Sequence, residues 1–112
     1  MSQARNERIR ILKKYLEEDG NDHFSRYAMA LEILETGEVN EAILLFEEVI
    51  RQNAGFLAAY YQLGRAFEMN RQQEQAIRAY TSGMVVARSQ NNTKTENELK
   101  AALFNLQDDD HY

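Results

Sequence analysis

Residues 57–90 read LAAYYQLGRAFEMNRQQEQAIRAYTSGMVVARSQ, and residues 23–56 before them read HFSRYAMALEILETGEVNEAILLFEEVIRQNAGF. Laid over one another at a spacing of 34, the two stretches agree in identity or character. Tyr27 falls on Tyr61, Ala42 on Ala76 and Ile43 on Ile77. Met29 falls on Leu63, Ala30 on Gly64, Ile33 on Phe67, Phe46 on Tyr80 and Val49 on Gly83, so apolar size is kept while surface residues vary. Self-similarity at a fixed period of this length marks one supersecondary unit used more than once.

Within each unit the apolar spacing is helical. Tyr27, Ala30, Ile33 and Leu34 share one stripe, and Ala42, Leu45, Phe46, Val49 and Ile50 share the next. Two antiparallel helices per unit follow. The break lies at Thr36-Gly37, where glycine can take the left-handed conformation that ends a helix; Asn70 is the expected counterpart in the second unit. Ala30, Ala42, Gly64 and Ala76 are small enough to let helix backbones approach closely. No stretch alternates with period two, which leaves no strand to propose.

The residues Tyr60-x-x-Leu63-Gly64-x-x-Phe67 followed by Ala76-x-x-x-Tyr80-x-x-Gly83 resemble the tetratricopeptide repeat, a helix-turn-helix unit of this length. Residues 23–56 carry the same frame as Arg26-x-x-Met29-Ala30-x-x-Ile33 and Ala42-x-x-x-Phe46-x-x-Val49. Arg26 stands where the family usually has a large aromatic, Gly83 where alanine is common, and Ala54 and Arg88 where proline often closes a repeat. The resemblance implies an all-α fold, an α-α superhelix of two full helix-turn-helix repeats at 23–56 and 57–90.

Outward from these repeats, Ile9, Leu12, Tyr15 and Leu16 place a helix over 3–18 as the second half of an incomplete earlier repeat, with Asp19-Gly20-Asn21-Asp22 as the turn after it. Downstream, Leu99, Ala102, Leu103 and Leu106 form a stripe about two residues out of the repeat frame, the signature of a capping helix over 93–106. Thr93-x-x-Glu96 and Thr95-x-x-Glu98 are both available as capping boxes at its start. Residues 107–112, with Asp108, Asp109 and Asp110, are expected to be a solvated acidic tail. The whole of 1–106 reads as one domain, in keeping with a chain of 112 residues.

Composition narrows the function. Hydrophobic residues are 44% and charged residues 28%, a globular balance without a run of the ~20 apolar residues that cross a bilayer. Thirteen basic against eighteen acidic residues give a net charge of −5, which disfavours nucleic acid. With no cysteine there is no thiolate nucleophile, disulfide or thiolate zinc site. The first residues do not read as a secretory signal, so a cytoplasmic location is expected. His23 has Asp19, Asp22 and Ser25 beside it, but four neighbours at a helix start are better explained as caps than as a catalytic triad. His111 among the terminal aspartates lacks the preorganisation of a selective metal site, and no glycine-rich phosphate loop is present. Neither metal nor cofactor is expected. Glu7, Arg8, Arg10, Lys13 and Lys14 read as a solvated face of the first helix.

The resemblance implies a non-enzymatic scaffold that holds a protein or peptide segment in a concave groove lined by the first helix of each pair. The 3.6-residue period carries Phe24, Tyr27, Leu31 and Leu34 toward that groove in the first repeat, and Ala58, Tyr61, Arg65 and Glu68 in the second. Tyrosine and arginine are favoured anchors, although Tyr27 and Tyr61 also fit plain inter-repeat packing. A specialised form of the family grips carboxylate-ended tails through cationic and amide residues. Here the matching places carry Tyr27, Leu31, Gln62, Asn92 and Glu96, none of them a cation, which argues against that form. The alternative function is structural, a homo-oligomer assembled through the terminal helices, whose apolar edges another copy could cover.

Overall fold

A computed structural model describes residues 2–109. Six helices follow one another: α1 (Gln3–Glu18), α2 (His23–Glu35), α3 (Val39–Gln52), α4 (Leu57–Met69), α5 (Gln73–Ser89) and α6 (Thr93–Asp109). Among the described residues there is no strand. Each helix packs on the next, and α2 also touches α4. The connections are only three or four residues long, which makes successive helices antiparallel, so α3 and α5 run the same way. The fold is an all-α superhelix in which α2/α3 and α4/α5 are equivalent pairs.

The small residues do what their size allows. Ala30, Ala42 and Ala76 are fully buried at the helix crossings. A Cβ on Gly64 would overlap the ring of Tyr80, and one on Gly83 would come within 2.7 Å of Tyr60 Cβ and 2.9 Å of Leu99 Cδ1. The core continues through Met29, Ile33, Phe46, Leu63 and Phe67. Leu34, placed by periodicity toward the groove, is instead 2% exposed and belongs to this core, one turn after the fully buried Ala30 on the same side of α2.

Side-chain amides tie the loops together. Gln52 at the end of α3 donates to the Gly20 carbonyl at 2.8 Å, and Gln90 after α5 donates to the Gly55 carbonyl at 2.9 Å. A glutamine amide thus holds a glycine carbonyl at two successive turns, although Gln52 and Gln90 are not equivalent at the repeat spacing. Gln52 also accepts from Arg26 Nη1 at 2.5 Å, which accounts for arginine where the family usually has an aromatic.

Helix ends differ from expectation in three places. Gly37 is left-handed, with φ of +89°, but in the second pair the left-handed residue is Arg71 (φ 58°), one position after Asn70. Arg71 lies 34 residues after Gly37, so the turn keeps its geometry without its glycine. At α6 neither threonine box forms. The Asn92 side chain accepts from the Thr95 N–H at 3.0 Å and is the cap, while Glu96 pairs with Arg88. Finally α6 runs to Asp109, so the acidic segment expected as a tail begins inside a helix. Asp110, His111 and Tyr112 lie outside the described residues.

Candidate functional site

The layer formed by α2, α4 and α6 carries the sequence-predicted residues, and they fall into two groups. In the first, Phe24 and Tyr27 converge with His23 on the ring of Phe56, in the turn before α4. Tyr27 meets Phe56 at 5.0 Å and 74°, Phe24 at 6.5 Å and 81°, and His23 at 5.4 Å and 68°, all edge-to-face. Tyr27 also leans on the core ring of Phe46 at 5.9 Å. Phe24 remains 67% exposed, a large apolar surface held on a rigid aromatic base.

In the second group, Tyr61 joins Leu57, Ala58 and Gln62 of α4 and Thr95 and Glu98 of α6 around a groove of about 390 Å³. The Tyr61 ring rests against Tyr80 at 6.1 Å. Arg65, half-buried one turn on, donates to Gln62 Oε1 at 2.8 Å. Leu31 is half-buried against the core. Glu68 stands apart. It accepts the Tyr80 hydroxyl and lies beside Arg71, Gln73 and Leu106, so Arg65 and Glu68 form no ion pair.

Burial sets the protonation of these phenols. It pushes the Tyr27 hydroxyl up, against the opposing effects of Gln62 and Arg65. Tyr80 is driven far above the ordinary phenol range by burial first and then by Glu68, so it stays a neutral donor. Asp22 is held below the carboxylate range by the Ser25 hydroxyl and N–H.

The cap reading of the Asp19 to Ser25 run is correct. Asp22 accepts from the Ser25 N–H at 3.0 Å and from its hydroxyl at 2.5 Å. His23 Nε2 lies 3.1 Å from the Asn53 amide. No group of three metal-ligating side chains occurs among the described residues. Nor is any helix among them long and apolar enough to cross a membrane.

Phe56 has no role in the sequence reading, and Thr95 and Glu98 enter it only as a capping box, not as groove residues. Phe56 aligns with Asp22 before it and Gln90 after it at the repeat spacing, so no equivalent position carries an aromatic to point to it. Thr95 and Glu98 lie on the helix that departs from the repeat frame, where alignment fails.

A tetratricopeptide repeat domain protein from Salinibacter ruber, solved in solution, is 34% identical to this chain. The match covers 79% of this chain and 89% of that one, with a TM-score of 0.74. The chain belongs to the tetratricopeptide repeat family. The crystal structure of the Salinibacter domain agrees, at 34% identity, 77% and 97% coverage and a TM-score of 0.71. The tetratricopeptide fold also matches the TPR2B domain of yeast Sti1 at a TM-score of 0.84, covering 90% of this chain and 81% of that one, with 14% identity. No family model and no curated protein matches the sequence.

Proposed function

We propose that this tetratricopeptide repeat domain is a non-enzymatic interaction module that holds a segment of another protein across α2, α4 and α6. The carrying observation is Phe24, 67% exposed on the ring of Phe56, which Tyr27 also packs against, in the helix layer that carries the Tyr61 groove. An exposed aromatic on a rigid support costs little entropy to immobilise and removes much apolar surface from water on binding. Two repeats offer a contact at the small end of specific interfaces, so a few anchors carry the affinity. The TPR2B domain of yeast Sti1, which shares this fold, was solved in complex with pHsp70.

The test is capture of partners from lysate by the unmodified chain, by Phe24→Ala and by Ala58→Arg. Both residues are exposed, so neither substitution touches the core. A protein held by the unmodified chain and lost by both variants supports the reading; equal retention by all three sinks it. A second reading, self-assembly through the terminal helices, is favoured by exposed Tyr15 on α1 and Phe104 on α6. It requires association that substitution of those two residues abolishes.

A further inference from the structure

On the other side of α4 lies a trough of about 370 Å³. Its floor is apolar, made by Leu63 and Phe67 of α4, with Ile50 of α3 and Ala79 of α5 at the sides. Its walls are the outer faces of α3 and α5, and they differ in charge. Glu47 stands on the α3 wall and Arg78 on the α5 wall. Neither has an ion-pair partner among the described residues, although Arg5, Arg8, Arg10, Arg51 and Arg88 all do. Outside the trough each wall exposes a large aliphatic side chain, Leu44 on α3 at 68% and Val85 on α5 at 65%. Helical spacing puts Leu44 one turn from Glu47, and Val85 two turns from Arg78 on the same face.

We infer that this face is a self-association surface, and that its occupant is a second copy of the chain related by a two-fold axis along the trough. A two-fold contact is self-complementary: what one copy offers on one wall, the other meets on the opposite wall. An apolar strip with an acid on one side and a base on the other satisfies that condition. Leu44 and Arg78 lie 34 residues apart, at equivalent places on helices that run the same way. Arg78 and Glu47 both line the trough, and Glu47 lies one turn beyond the level of Leu44, so the axis brings Arg78 of each copy within reach of Glu47 of the other. Each guanidinium meets the other copy's Glu47 carboxylate over the apolar floor. This contact leaves the α2/α4/α6 layer free.

Sedimentation velocity of the full chain over a concentration series tests it. The unmodified protein should pass from monomer to dimer. Glu47→Arg and Arg78→Glu should each weaken association by more than about tenfold, since each homodimer would bring two like-charged pairs together. An equimolar mixture of the two variants should dimerise, because the mixed dimer has both pairs attractive. Ala58→Arg should associate like the unmodified chain. A monomer up to the solubility limit overturns the inference. So does undiminished association of either reversed variant, a mixture that stays monomeric, or loss of association in Ala58→Arg, which would move the contact to the other layer. Circular dichroism of each variant checks that the exposed substitutions leave the helices intact.

Discussion

The backbone of Gly64 lies directly against the ring of Tyr80, so that a Cβ at 64 would sit 2.6 Å from both Cδ1 and Cζ. The contact closes the α4/α5 pair, and Tyr80 is held in place at its far end by its hydrogen bond to Glu68. Gly64→Ala should therefore destabilise the fold by about 1–3 kcal/mol, overpacking outweighing the ~1 kcal/mol that alanine gains over glycine in a helix. Urea denaturation at neutral pH measures this, and a variant as stable as the original would show that the ring can move aside.

Arg71 adopts a left-handed conformation that Gly37 holds in the equivalent turn. A side chain there costs about 1 kcal/mol, which glycine would avoid, offset in part by the freedom glycine adds to the unfolded chain. Arg71→Gly should raise the melting temperature, whereas Arg71→Val should lower it. A drop in both would mean that the Arg71 side chain contributes more than its backbone costs.

Glu32 on α2 gathers Arg5 at 3.0 Å and Arg8 at 2.6 Å from α1, a helix with no fully buried residue. The hydrogen bond from Arg8, then that from Arg5, holds the Glu32 carboxyl below its ordinary value of 4.5. A carboxylate depressed in the folded state stabilises above the unfolded value and loses that contribution as pH falls through the folded one. Glu32→Gln should thus lower the melting temperature at pH 7, and the difference from the unmodified protein should vanish in strong acid. High salt at pH 7 should shrink it as well. A difference independent of pH would show that the pairs add nothing to stability.

Phe24 should behave in the opposite way to the buried aromatics. Its 67% exposure predicts a stability change within about 0.5 kcal/mol for Phe24→Ala, against 3–5 kcal/mol, roughly, for Phe46→Ala in the core. Thermal melts of the two variants decide this. A large loss from Phe24→Ala would make the aromatic cluster a structural element rather than a presented surface.

The repeat at spacing 34 was sufficient to read the helix pairs, their order and most of the core, because apolar periodicity and small residues at crossings are local and recur. The same period carried Phe24 off the buried stripe, and it is exposed, whereas Tyr61 is partly buried against the core. Leu34 was not legible, since its burial depends on which side of α2 the next helix covers. The cap of α6 went to Asn92 rather than Thr93 or Thr95, a competition among neighbours that only the backbone path resolves.

By itself, then, the order of residues determined which segments are helical, how they pair and which family they form, because those follow from patterns within one repeat. Only the tertiary structure decided that Phe56 is the hub of the aromatic cluster, that α6 supplies Thr95 and Glu98 to the groove, and that Glu47 and Arg78 face across one trough. The aromatic cluster joins the two ends of one repeat, the others join residues from different repeats or from outside the repeat frame, and in each case the distance is set by how whole helices stack.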